Sequence, residues 1–402
     1  KKKKETTQAE KLDLIVRILT FLLIAVIILI GFNLRPALSG VGPLIAMIRE
    51  ATGLSNSMLG LLTTLPLIAF GILSTLTPLF TRRFGIEKTL SGALLLLTVG
   101  IVLRAFGYIP LLFLGTILLG IAIAFGNVLL PALVKRDFNK RSGFMTSLYS
   151  GMMGVGAALA AGLSVPIAES FPGSWKTSLG VWGVFSFLAF LVWISQNKFS
   201  VPTNSKRSFK KAMKDLGSNS LAWNVALFLG LQSIAFYVIL AWLPDILISK
   251  GFSSSEGGWY LSLSQVTGVL GSVLVPVIAA KKDDQRKYIS ALILVEAISL
   301  IGLWLGTNAT VFLWVSGIGF SLGGSFGLAL LFIVLRSSDS ETATELSGMS
   351  QSIGYLLAAT GPILIGAVFD ITGDWDTALY ILFMILFFKL YTGLRAGKAQ
   401  AI

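Results

Sequence analysis

The chain has 402 residues, 54% of them hydrophobic and 13% charged, with a mean hydropathy of +0.83, whereas soluble domains are about 25% charged. That composition belongs to a membrane protein. It contains no His and no Cys, which excludes disulfide frames, thiolate or imidazole metal sites and His-activated nucleophiles; no metal and no cofactor are expected. A formal net charge of +13 would suggest nucleic acid in a soluble protein, but here the basic residues gather in alternate short loops, so no nucleic-acid partner is expected.

A membrane-spanning helix needs about 20 mostly apolar residues. Such runs lie near 15–46, 55–80, 89–108, 110–134, 143–167 and 177–196, then near 220–248, 259–280, 288–306, 310–336, 345–369 and 377–395. The initial "KKKK" before an apolar run imitates a secretory signal, yet no small-residue cleavage site follows, so it reads as an uncleaved first span.

Lys and Arg orient the spans. One side receives residues 1–17, "TRRFGIEK" (81–88), "KRDFNKR" (135–141), the segment 197–219, "KKDDQRK" (281–287), Arg336 and the C-terminal Lys389, Arg395 and Lys398. The other carries Arg49, Lys176 and Lys250, with Arg104 near the outer end of the third span, where it is expected to snorkel. Both termini are therefore expected in the cytoplasm of a bacterial cell. The basic, Ser-rich segment 197–219 divides the chain into six-helix bundles at 1–196 and 220–402, and is expected to lie on anionic lipid headgroups.

The halves are related at an offset of 197. Gly120, Ile121 and Gly126 fall onto Gly317, Ile318 and Gly323, and "SGM" at 150–152 falls onto "SGM" at 347–349. Because six is even, both halves enter the membrane from the same side and the repeat is parallel. Two such bundles would enclose a crevice at mid-membrane and rock about it.

The six-plus-six plan with a basic middle loop resembles the major facilitator superfamily along essentially the whole chain. "NLRPALSGVGPL" (33–44), "GLLTTLPLIAFG" (60–71), "GNVLLPALVKRDF" (126–138), "AWLPDIL" (241–247) and "GPILIGAVFDITGDW" (361–375) narrow the resemblance to the cyanate porter family. That family includes cyanate transporters and 2-nitroimidazole exporters. The superfamily loop G-x-x-x-D-R-x-G-R is altered here: Pro78 stands at the first Gly and Arg82 at the Asp, while Arg83 and Gly85 keep their places. The cytoplasmic gate that the resemblance implies would then use Arg82, Arg83 and Asp137, with Asp137 accepting from an arginine. Alternatively, these basic residues are only positive-inside anchors.

Polar residues inside the spans mark the candidate site, since a charge at the bilayer centre costs about 2.5–3.5 kcal/mol on insertion scales. Arg35 leads. Gly31 and Ser39, at i−4 and i+4, leave room beside its guanidinium, and Pro36 frees the carbonyl of Phe32, so the helix should kink over 32–36. A guanidinium suits a small anion or the acceptor edge of a polar heterocycle. Asn33 lies about 200° round the helix from Arg35, as a further solute contact or a brace. Asn127, four before Pro131, meets solute or ties the fourth span to the first. Ser347, Gln351 and Tyr355 form a polar stripe on the eleventh span.

In the layout that the resemblance implies, the first, fourth, seventh and tenth spans line the cavity, with the second, fifth, eighth and eleventh behind them. That layout adds Tyr149, Gln232, Tyr237 and Gln265. Glu296 is the carboxylate deepest in a span, a candidate for proton coupling or a neutral acid packed against the eighth span.

These readings converge on an all-α secondary transporter of twelve helices, moving a small polar or anionic, cyanate-like solute by alternating access. Partners would be that solute, a coupled proton or counter-solute, and membrane lipid, with the protein a monomer. The alternative is an exporter of small aromatic heterocycles such as nitroimidazoles, with Trp242 and Tyr355 stacking. An enzyme is not expected, for want of His, Cys and an extramembrane domain, and no P-loop for ATP occurs.

Overall fold

The computed structural model describes residues 21–54, 56–171, 175–202 and 208–402; the basic N-terminal start lies outside them. Among the described residues, eleven helices are long and apolar enough to cross a membrane. One of them, Leu61–Ala105, has 45 residues, about 68 Å if straight, twice the bilayer core of about 30 Å. It is two spans. The chain reverses at Gly85, whose φ of +80° places it in a region that disfavours side chains. This is why the altered superfamily loop retains its glycine.

The expected twelve spans are thus present. They are α1 (Phe21–Leu44), α2 (56–84), α3 (86–105), α4 (Ile109–Asp137), α5 (Ser142–Ser170) and α6 (Trp175–Phe199). Then follow α7 (Ser220–Ser249), α8 (Ser254–Ala279), α9 (Arg286–Leu305), α10 (Val311–Leu335), α11 (Ser340–Thr372) and α12 (Asp376–Ala396). Large apolar side chains such as Leu294, Ile363 and Phe387 are exposed on the outside of the bundle, as lipid solvation requires. Part of the linker is itself helical: Phe209–Ser218 buries Ala212 and Leu216 and is capped by the Ser208 hydroxyl.

The repeat reappears as packing. At Gly151 of α5 an added Cβ would lie 2.5 Å from Val273 of α8, and at its repeat partner Gly348 of α11 it would lie 2.6 Å from the Ser74 carbonyl of α2. Each half therefore uses the same glycine, on its fifth helix, to approach the second helix of the other half. Small residues allow such close crossings. The contacts are hydrogen-bonded as well: Ser147 donates to the Val273 carbonyl at 2.5 Å, Ser150 to that of Ser272 at 3.2 Å, and Ser352 to that of Gly71.

A candidate solute seat between the two halves

Helix α1 is broken where the sequence places Arg35. Residues 21–33 are helical, Leu34 and Arg35 leave the helix, and a single turn, Pro36–Ser39, restarts it. Pro36 has no N–H to give the Phe32 carbonyl. That carbonyl instead turns toward α5, where a Cβ at Gly156 would lie 2.5 Å from it.

The break also changes which residues share a face. Gly31 does not clear the guanidinium as its i−4 spacing suggests; it admits the backbone of α5, with the Tyr149 carbonyl 2.9 Å from where its Cβ would be. The i−4 relation holds only along an unbroken helix.

Arg35 projects between the halves. The hydroxyls of Tyr237 on α7 and Tyr355 on α11 face its guanidinium, and its Cζ lies 5.7 Å from the ring centre of Phe326 on α10. Asn127 of α4 donates through Nδ2 to the Tyr355 hydroxyl at 3.3 Å. Phe70 of α2 meets the Tyr355 ring edge-on at 4.8 Å. Arg35 is partly accessible, while Asn127 and Tyr355 are buried. Among the described residues no carboxylate pairs with Arg35. The seat therefore combines an uncompensated cation, two phenols and an amide with two aromatic rings, and is fit to hold a small group with acceptor atoms in one plane.

Other nominated residues stand apart. Asn33 donates to the carbonyls of Leu29 at 2.8 Å and Phe185 at 3.3 Å, tying α1 to α6. Gln232 donates to the Ser233 hydroxyl at 3.0 Å. Gln351, one turn below Tyr355, and Tyr149 are buried, and the Gln351 Oε1 has no hydrogen-bond partner among the described residues. Gln265 is partly buried on α8. Trp242 donates to the Pro362 carbonyl at 3.0 Å and so braces α7 against α11. Helix α4 continues unbroken through Pro131.

Three expectations are corrected. Asp137 accepts from its neighbour Arg136 at 2.7 Å rather than from Arg82 or Arg83, because a bidentate partner one residue away leaves its carboxylate occupied. Arg82 instead spans the halves, 2.8 Å from Glu345 and 3.0 Å from Glu341 of α11. Two acids four apart at a cytoplasmic helix end were the available signal. Arg104 does not snorkel: it is 2% exposed and donates to the Ala37 carbonyl of α1 at 2.7 Å, just past the break. Lys389 is not a loop anchor: it meets Glu296 at 2.6 Å inside the C-terminal half, where the Ser321 hydroxyl also donates to Glu296.

A profile of the Major Facilitator Superfamily matches residues 20–362. The chain belongs to that superfamily. The transporter YycB of Bacillus subtilis (strain 168) is 42% identical to it over 387 residues, 96% of each chain. The 2-nitroimidazole transporter of Escherichia coli (strain K12) is 40% identical over 380 residues, 94% of this chain and 96% of that one. The cyanate transport protein CynX of the same organism is 28% identical over 90% of this chain and 94% of its own. Among solved structures, the transporter FucP in the outward conformation matches with a TM-score of 0.77 at 15% identity, over 93% of this chain and 98% of that one, a likeness of fold. Like other members of the superfamily, this multi-pass membrane protein is a secondary transporter.

Proposed function

We propose that the protein carries a small solute with a planar, acceptor-bearing group, held by Arg35, across the membrane by alternating access. The observation that carries this reading is the convergence of Arg35, Tyr237, Tyr355 and Asn127 from four helices and both halves at one uncompensated cation. A cyanate-like anion would satisfy the guanidinium and the phenols alone. A heterocycle bearing such a group would in addition meet the Phe326 ring, over which the guanidinium lies. The aromatic ring therefore favours the heterocycle, and the similarity to a 2-nitroimidazole transporter supports the same choice.

In this reading the cytoplasmic side is closed by the contacts that join the two halves. Arg82 with Glu341 and Glu345, the pairing of Thr75 with the Gly348 carbonyl, and the α5–α8 bonds all lie below the seat. Rocking the halves would break these contacts and release the solute inward.

Proteoliposomes loaded in turn with cyanate, nitrate and 2-nitroimidazole test the proposal. Transport of the heterocycle, with competition by the anions, is the expected result. Transport of the anions alone would transfer the assignment to a cyanate-like solute, and movement of none of them would defeat the proposal.

A further inference from the structure

The cytoplasmic ends of α9 and α12 enclose an open recess of about 800 Å³, lined by Asp284, Arg286, Lys287, Leu394, Arg395 and Lys398, with Ser290 one turn into α9. Four cations face one carboxylate there. The carboxylate is already engaged: Asp284 accepts from the Arg286 Nε at 2.8 Å and caps the Arg286 backbone N–H at 2.9 Å. Arg286 holds the Asp284 carboxyl well below the usual carboxylate range, at about 2, so this pair persists at physiological pH. Lys287 and Lys398 have no acidic partner among the described residues, and Arg395 lies over the Tyr391 ring at 4.7 Å. An excess of positive charge is thus gathered in a concave site at the membrane–water boundary.

The walls are fixed by the protein itself. Gln285 donates its backbone N–H to the Gly397 carbonyl at 2.9 Å, and Arg336 donates to the carbonyls of Ala396 at 2.8 Å and Gly397 at 3.1 Å. The recess is therefore a feature of the packed fold, with two helix ends held at a set spacing.

Directly above it, toward the bilayer, the same two helices expose an apolar face. Leu294 and Ile298 follow Ser290 on α9 at four-residue steps and are 60% and 50% exposed, while Tyr391, Phe388 and Phe387 do the same on α12. Cations at the boundary followed by an exposed apolar face match an amphiphile with an anionic head. A soluble phosphate would use the first feature and leave the second without a role.

We propose that this recess binds the headgroup of an anionic phospholipid, with its phosphate between Lys287, Arg395 and Lys398 and its acyl chains along Leu294, Tyr391 and Phe387. Basic pockets between helices on the cytoplasmic side are suited to such headgroups. The site is remote from Arg35 and belongs to one half of the transporter.

The full-length protein in detergent provides the test. Its thermal midpoint is measured with added cardiolipin, phosphatidylglycerol, phosphatidylcholine or inorganic pyrophosphate, since a ligand of the folded form raises the midpoint. The anionic lipids should raise it, whereas phosphatidylcholine and pyrophosphate should not. The Lys287→Gln/Lys398→Gln variant should bind the anionic lipids roughly thirty-fold more weakly, two surface charges' worth. The Lys140→Gln/Arg141→Gln variant, with the same loss of charge on the other half, should bind as the parent does. An equal response to pyrophosphate would make this a soluble-phosphate site. Equal weakening in both variants would show only non-specific attraction, and undiminished binding by Lys287→Gln/Lys398→Gln would place the lipid elsewhere; each of these overturns the proposal.

Discussion

Lys389 on α12 and Glu296 on α9, 93 residues apart, form an ion pair of 2.6 Å in which the lysine side chain is 0% and the glutamate 3% exposed. Two charges that would each be costly in lipid cancel within one half of the transporter, and the Ser321 hydroxyl satisfies a further lone pair. The pair joins α9, α10 and α12 and stands apart from the solute seat. Its properties are those of an internal tie.

Breaking this pair on one side should therefore cost stability and leave the transport cycle working. Glu296→Gln strands the Lys389 ammonium in an apolar interior, a loss on the order of 3–5 kcal/mol. A lowered thermal midpoint is expected, with uptake per folded molecule largely retained. Glu296→Gln/Lys389→Met should recover most of the midpoint, and the double-mutant cycle measures the coupling. Loss of pH-dependent accumulation with exchange preserved would instead mark Glu296 as a proton site.

Arg35→Gln should abolish transport while leaving expression and the melting profile close to those of the parent, because it removes a charge that no carboxylate in the described structure offsets. Arg35→Lys keeps the charge but loses the planar fork, so it should transport poorly. Solute uptake and a thermal scan on the same preparations separate these effects. Uptake by Arg35→Gln at the parent's rate would show that the arginine is structural.

Tyr355→Phe removes the hydroxyl that accepts from Asn127 and faces Arg35. With a buried amide left unpaired, the apparent solute affinity should fall about ten-fold. Asn127→Ala should produce a similar loss, and the double variant less than the sum, since both act on one network. Additive losses would separate Asn127 from the seat.

Arg82→Gln should favour opening toward the cytoplasm by removing the link to Glu341 and Glu345. The absence of native cysteine makes a reporter simple: Thr75→Cys, beside Gly348 in the closed contact, can be labelled with an impermeant thiol reagent from the cytoplasmic side. Labelling should be roughly five-fold faster in the Arg82→Gln background, the equivalent of about 1 kcal/mol. An unchanged rate would relieve Arg82 of any gating role.

What could be read from the sequence follows the range of the interactions involved. The spans, their orientation, the half-repeat and the break beside Pro36 rest on local rules, and the helices and the interruption at Leu34–Arg35 occur where those rules put them. Gly31 was visible as a small residue, but its occupant, Tyr149, comes from another helix. Which residues pair across hundreds of positions is not written in the local pattern. Asn127 and Tyr355 were nominated separately, and their hydrogen bond spans 228 positions. Arg82 stood out as a departure from the superfamily loop, yet its acceptors lie in the other half, 263 positions away in the case of Glu345. Asp137 was the nearer acid in sequence and already occupied. Arg104 and Lys389 were misplaced because proximity to a span end does not reveal a carbonyl or carboxylate waiting inside the bundle.

On the proposed alternating-access cycle, Arg35 would also sense the membrane voltage. In the proposed outward-facing state, closed below by the contacts of Arg82, the electrical drop across the membrane would fall below Arg35 and leave it near the outer potential. Opening inward transfers it to the inner potential without moving the side chain far. In a cell that is negative inside, that transfer favours the inward-facing empty carrier by about 2.3 kcal/mol for each 100 mV. A monoanion seated on the guanidinium cancels the charge, so the loaded carrier turns over without this bias while a neutral heterocycle leaves it in force. The electrical signature of transport would thereby report the charge of the cargo.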